Sequence, residues 1–331
     1  TFALVAGPPP DFEYTVDHDL LPPDVLAIEG FQTILANFYR EANLDARWQK
    51  VEPEYNRAID FYQPIVRRIV MVSNGYLREI VKPASRRSFS VYVEPLVGNR
   101  TNFRNSGENY AIVVGTGNEP PVADIQHAYL HFLLDPLPLK YRDQLNAKRA
   151  LLNIAARAPR LPVQYQDDFI SFADECLIKA VELRLRHLTP QQLDEAMAQD
   201  DADGFTMVHP IVVQLMKFEK AEPAMSYYFP DIIAGIDVAS EQKRLQNIKF
   251  AAPDASRAPQ LDAAAHAAHV SDLDRALAEG DRQIALKNGL AAEAVFQQIL
   301  AKHPSEPRAV YGLAIASILS RKIDQAAALF Q

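Results

Sequence analysis

Residues 124–136 read Asp-Ile-Gln-His-Ala-Tyr-Leu-His-Phe-Leu-Leu-Asp-Pro, and the rest of the chain is organised around this apolar stretch. His127 and His131 are four residues apart, a spacing that places both imidazoles on one face of an α-helix. Two neutral imidazoles one turn apart can bind a single divalent zinc ion. The stretch therefore predicts a helix that supplies two ligands to a metal.

The same helical face carries two carboxylates. Asp124 lies three residues before His127, and Asp135 lies four residues after His131. We predict that Asp135 supports the metal site from outside the ligand set, because acids beside a ligating histidine fix its ring orientation. The alternative is a half-buried helix whose histidines bond only to carboxylates or backbone groups.

The composition of the chain limits the classes of function that it can have. The chain has 331 residues, of which 48% are hydrophobic and 23% are charged, as in globular proteins with one large core and a smaller second module. A formal net charge of −8 disfavours binding to nucleic acid. The single cysteine, Cys176, excludes an intrachain disulfide and a cysteine-rich zinc site. No run approaches the ~20 apolar residues of a transmembrane helix.

Proline and apolar spacing divide the chain. Residues 1–23 are proline-rich and predict an extended segment. Residues 24–250 predict one α+β domain that is predominantly α, beginning with helices before and after Pro64. Residues 251–260 have the composition of a linker. Residues 261–331 predict a separate α-helical module.

A change of period to two predicts strands over residues 89–93 and 110–114, separated by a polar loop from Gly98 to Gly107. Tyr110, Ile112 and Val114 alternate along the second strand, which leads directly to the histidine helix. We predict that this strand binds an extended peptide through main-chain hydrogen bonds.

A long helix predicted over residues 166–187 carries Asp174, Glu175 and Glu182. The acidic run at residues 200–204 lacks the remaining ligand spacing of a calcium loop. We expect this run to form a solvated turn.

Residues 273–331 align with themselves at a period of 34. The matching pairs are Ala292 with Ala326, Phe296 with Phe330, Ile284 with Ile318, and Lys287 with Arg321. The segment resembles the tetratricopeptide repeat through five residues at that family's spacing: Gly280, Ala292, Phe296, Leu300 and Pro304. The resemblance implies a module that binds a protein partner or supports self-association. It covers about one repeat and most of another, so we expect either that further repeats follow or that this pair packs on a neighbouring part of the protein. The alternative is a plain helical hairpin.

The order of a strand pair, the His127 and His131 helix, and a later helix with Glu175 resembles the gluzincin metallopeptidases. In that family two histidines of one helix and a glutamate of a later helix bind zinc. The resemblance implies that His127, His131 and Glu175 are zinc ligands here, with Glu182 as the second choice for the glutamate. We predict that Asp174, like Asp135, lies outside the ligand set and supports the site.

The sequence departs from the gluzincin pattern at Ala128, where that family has its general base. Three hypotheses follow. The first is a pseudo-peptidase that acts through protein contacts, with zinc bound or absent. The second is an active zinc peptidase in which Asp124 or Glu182 serves as the base. In the third, natural relatives keep glutamate here and Ala128 was introduced to trap a substrate.

A structural subunit of an extracellular assembly is a further class of function. The apolar segment from Thr1 to Ala6 would then insert as a strand into a neighbouring chain. The same segment is similar to the end of a secretion signal, which predicts export from a bacterial cytoplasm to the periplasm or the exterior.

Overall fold

The protein has an α+β fold that is predominantly α, as the sequence predicted. In the computed structural model, the described residues are 2–18, 21–80, 87–98, 100–106, 108–117, 119–253, 272–304, 306–322, 325, 326 and 329. The chain divides into two compact units: residues 1–51, 105–107 and 268–331 form one, and residues 52–104 and 108–267 form the other. None of the described helices combines the length and the apolar character needed to span a bilayer.

The N-terminal segment contains helices α1 (Phe2–Val5), α2 (Pro23–Leu26) and α3 (Phe31–Glu41). Val5 packs against Leu21 and Val25 in a small apolar cluster. Residues 2–5 form a helical turn in place of the expected extended segment, and Val5 of this turn is buried. Insertion of residues 1–6 into a neighbouring chain stays a prediction.

Helix α4 (Leu44–Leu77) runs for 34 residues and contains Pro53 and Pro64. The sequence predicted a helix break at Pro64, and that prediction is wrong. Tyr62 and Ile69, on either side of this proline, lie in the same apolar cluster. Packing on both sides therefore holds the helix together across the hydrogen bond that proline removes.

In the part of the chain that the structure describes, the sheet has three strands, β1 (Ser88–Val93), β2 (Thr101–Ser106) and β3 (Asn109–Val114), in the order β1-β3-β2. Strands β1 and β3 are parallel, with Val91 opposite Ile112. Strand β2 forms within the segment that was predicted to be a loop. Pairing with β3 stabilises it despite a polar sequence.

The prediction that β3 binds a peptide is wrong, because β3 is the central strand and both its edges are already paired. Its residues Tyr110, Ile112 and Val114 are buried. Among the described residues, the edge strands of the sheet are β1 and β2.

The larger core is built mainly from helices. They are α5 (Val122–Leu134), α6 (Pro136–Lys140), α7 (Arg142–Asn146), α8 (Leu152–Ala155), α9 (Val163–Asp167), α10 (Phe169–Leu185), α11 (Pro190–Asp203), α12 (Val208–Phe218), α13 (Met225–Ala234) and α14 (Val238–Arg244). Phe172, Leu177 and Val181 of α10 are fully buried, and α10 packs against both α5 and α12. Helix α10 is therefore the support on which the histidine helix rests.

The acidic run at residues 200–204 does not form a solvated turn. Its acids lie in the last turn of α11, and all three are at least four-fifths buried. Each pairs with a base from elsewhere in the chain: Asp200 with Lys179, Asp201 with Arg244, and Asp203 with Arg160. The solvated turn was expected because these lysine and arginine partners lie 20 or more residues away in sequence, where a local pattern does not reveal them.

The C-terminal helices are α15 (Asp272–Ala285), α16 (Gly289–Lys302) and α17 (Pro307–Leu319). Phe296 is fully buried at the centre of their apolar cluster. The ends of α15 and α17 are 34 residues apart, and Lys287 and Arg321, which follow them, both have positive φ. Residues 254–260 of the predicted linker, residues 261–271 and Phe330 lie outside the described residues.

Candidate metal centre

Helices α5 and α10 position the site. Pro121 immediately precedes α5, and Asp168 caps α10 by accepting hydrogen bonds from the backbone N–H groups of Ile170 and Ser171. Helix α5 packs on β3 through one face and on α10 through another. Its two histidines meet Glu175 of α10.

Three donor atoms converge between the two helices. The Nε2 atoms of His127 and His131 are 3.1 Å apart. The Oε2 atom of Glu175 lies 3.9 Å from Nε2 of His127 and 3.7 Å from Nε2 of His131. Tetrahedral zinc with bonds of about 2.0–2.2 Å places neighbouring donors about 3.3 Å apart. The observed distances therefore suit one ion after small side-chain movements.

Each imidazole has a carboxylate at its other nitrogen. Nδ1 of His127 lies 2.9 Å from Oε1 of Glu182, and Nδ1 of His131 lies 2.8 Å from Oδ1 of Asp135. When Nδ1 carries the proton, its N–H donates a hydrogen bond to the carboxylate, and the Nε2 lone pair stays available for a metal. Asp174 is more distant, with Oδ2 3.7 Å from Nδ1 of His131.

His131 is fully buried and lies among charged neighbours. Burial lowers its pKa, but Asp135 and Asp174 outweigh burial and raise the pKa to about 10. Because a histidine ligand must be neutral, metal binding at His131 competes with protonation of the ring.

Three aromatic residues contact the histidines and carboxylates of the site. Phe103 of β2 stacks on His131 with ring centroids 5.4 Å apart. The Tyr110 hydroxyl donates to Asp135 over 2.8 Å, and the Tyr165 hydroxyl donates to Glu175 over 3.2 Å. The sequence did not identify Phe103 or Tyr165 as site residues, because no spacing pattern connects either one to the histidines.

A second group of donors shares one histidine with the first. His131, Asp135 and Asp174 offer atoms that all lie within 4.8 Å of one another. A neutral imidazole has only one lone pair for a metal, so His131 can serve one group at a time. The first group uses two imidazoles and one carboxylate, the donors that zinc prefers.

The acids considered as replacement bases have other partners. Oδ2 of Asp124 accepts a hydrogen bond of 2.7 Å from the Thr101 hydroxyl. Glu182 lies at Nδ1 of His127, on the opposite side of the ring from the Nε2 donor. Ala128 is fully buried in the apolar cluster that contains Ile112.

Comparisons of the chain with protein family models, curated proteins and solved structures found no match.

The structure brings together His127, His131 and Glu175, which the sequence analysis selected as ligands. It places Glu182 beside His127 but away from the point of convergence. The chemistry of the site thus depends on the geometry of these four side chains.

Proposed function

We propose that the larger unit is a metallopeptidase-like domain that binds one zinc ion through His127, His131 and Glu175 and is catalytically impaired. The observation that carries the proposal is the convergence of these three donors, with a carboxylate at the other nitrogen of each imidazole. When bound, zinc would act as a Lewis acid at this point.

The impairment follows from the residues around the three donors. Ala128 cannot accept a proton, and Glu182 is engaged at the far nitrogen of His127. Asp124 is engaged by Thr101. Loss of a positioned base commonly lowers the rate ~10²–10⁴-fold. The same residues argue against an active peptidase that uses Asp124 or Glu182.

Peptide binding, as part of this proposal, belongs to the free edge of β2. An added strand needs unpaired main-chain groups, and β2 is an edge strand of the sheet. Phe103 of β2 stacks on His131, so a peptide along this edge would run beside the metal site. Strand β3 no longer has this role.

The C-terminal helices serve, in our proposal, as a tetratricopeptide-like module for protein contacts. The 34-residue interval between the ends of α15 and α17 supports a repeat, as do the positive φ values of 57° and 61° at Lys287 and Arg321. Leu290 and Tyr311 expose 69% and 62% of their surface, which favours binding of a protein or another copy of the chain. Sedimentation velocity of the full chain, beside Tyr311→Ala, tests self-association.

Metal analysis of the purified protein tests the main proposal. We expect about one zinc per chain, lost in His127→Ala and retained in His18→Ala. His18 is a suitable control because it also pairs with a carboxylate, Glu29, but is exposed. Parent protein that carries no more zinc than His127→Ala would contradict the site and leave a structural role as the alternative.

Catalysis is tested separately on zinc-loaded parent protein with a mixture of fluorogenic peptides. We expect no cleavage above that of His127→Ala. Zinc-dependent cleavage by the parent would overturn the impairment and favour an active peptidase. Export from a bacterial cytoplasm remains a prediction of the sequence, and cell fractionation tests it.

A further inference from the structure

Glu182 lies two turns after Glu175 on helix α10. A separation of seven residues places both side chains on the same helical face, toward α5. They meet different sides of the histidine pair. Oε2 of Glu175 approaches the two Nε2 atoms, whereas Oε1 of Glu182 lies 2.9 Å from Nδ1 of His127.

We propose that Glu182 is a positioning residue that fixes His127 in the tautomer and ring orientation required for metal binding. This inference rests on the zinc site proposed above and adds a residue to it. The Glu182 carboxylate accepts a hydrogen bond from Nδ1–H of His127, so the Nε2 lone pair faces Glu175 and His131. The two nitrogens of an imidazole diverge, and Glu182 therefore cannot share an ion with Nε2 of His127.

His127 depends on this hydrogen bond more than His131 does. The His131 side chain is fully buried, stacked on Phe103 and held by Asp135. The His127 side chain is 16% exposed, and its nearest carboxylate at Nδ1 is that of Glu182. Packing therefore restricts ring rotation at His131, whereas at His127 the contact with Glu182 adds to those with His131 and Glu175.

The arrangement links the packing of two helices to metal affinity. Helix α5 contributes both histidines, and Asp135, which directly follows α5, contributes the carboxylate that supports His131. Helix α10 contributes the ligand Glu175 and, two turns later, the carboxylate that supports His127. A carboxylate that orients a ligating histidine typically contributes 10–100-fold to metal affinity.

The test is a zinc titration of the metal-free full chain against a competing chelator. We expect Glu182→Ala to weaken zinc binding about 10–100-fold. Glu182→Gln keeps an acceptor without the charge, so its affinity should fall between those of the parent and the alanine variant. Glu219→Ala is the control, because Glu219 is similarly exposed and pairs with Arg184.

Cobalt substitution separates positioning from a general effect on folding. At saturating cobalt, the visible spectrum should change in Glu182→Ala and remain parental in Glu219→Ala, because only the first variant alters a ligand's orientation. Equal zinc affinity and identical cobalt spectra in parent and Glu182→Ala would overturn the positioning role while leaving the zinc site intact. Absence of zinc binding by the parent would overturn both proposals.

Discussion

Ala128 directly follows His127 on α5, and its methyl group is fully buried. The surrounding cluster includes Tyr62, Ile112 and Tyr129. A glutamate here would have to place a carboxylate within this apolar packing. The residue therefore fits its place in the core, whatever stands at this position in other proteins.

We predict that Ala128→Glu destabilises the protein by about 3 kcal/mol, because it adds volume and a charge to a packed apolar cluster. Urea unfolding of the parent, Ala128→Glu and Ala128→Gln measures the effect. The glutamine variant has nearly the same size, so a difference between the two variants reports the charge. A stable Ala128→Glu protein that cleaves peptides with zinc would show that the position opens to the metal.

At the scale of elements, an ion pair between Arg184 of α10 and Glu219, at the end of α12, depends on pH. Arg184 donates two hydrogen bonds of 2.7 Å to Glu219, and the Tyr76 hydroxyl donates a third. Burial raises the pKa of Glu219, but the bonds from Arg184 and Tyr76 outweigh burial and lower the pKa below its ordinary value of 4.5. The carboxylate is thus held in its charged form.

A carboxyl with a lowered pKa in the folded state stabilises the protein above its unfolded pKa, and this contribution disappears as pH falls through the folded pKa. We therefore expect the parent to lose stability below about pH 4.5 more steeply than Glu219→Gln. Urea midpoints across this pH range provide the measurement. Glu195→Gln, at an exposed acid of α11, should follow the parent, and equal slopes for all three proteins would refute the prediction.

Close packing of the C-terminal helices depends on two glycines. A methyl group at Gly280 of α15 or Gly312 of α17 would overlap the ring of Phe296 in α16. We expect Gly280→Ala and Gly312→Ala each to destabilise these helices by about 1–3 kcal/mol through overpacking. Gly75→Ala in α4 is the matched control, since no atom lies within 4 Å of its added methyl.

Two measurements on the full chain test this effect: its thermal unfolding, and the protection of an amide in α16 from hydrogen exchange. The control should be neutral or slightly stabilising, because alanine favours a helix over glycine. Adding Phe296→Leu to Gly312→Ala should recover part of the lost stability, because leucine is smaller than the ring that the added methyl group would overlap. Unchanged protection in both single variants would contradict the proposed packing.

At the scale of the whole molecule, local patterns predicted the helices better than they predicted the sheet. The spacing of His127 and His131 identified α5, whereas the repeat at a period of 34 stays a prediction. Strand β2 was missed because residues 101–106, Thr-Asn-Phe-Arg-Asn-Ser, have little intrinsic preference for a strand. Its pairing with β3 depends on tertiary structure, and so does the central position of β3.

The site shows the same division. Helical spacing predicted the histidine pair, and a resemblance suggested Glu175. The roles of Phe103, Tyr165 and Glu182 depend on contacts between segments that are distant in sequence. Local analysis likewise could not predict the pairing of Asp200 with Lys179, because the two residues lie on different helices, α11 and α10.

Anomalous diffraction from crystals soaked in zinc tests the central claim most directly. We predict one strong peak about 2.0–2.2 Å from Nε2 of His127, Nε2 of His131 and a carboxylate oxygen of Glu175. The peak should vanish in His127→Ala. A peak held instead by Nδ1 of His131 with Asp135 and Asp174, or no peak between α5 and α10, would contradict the account.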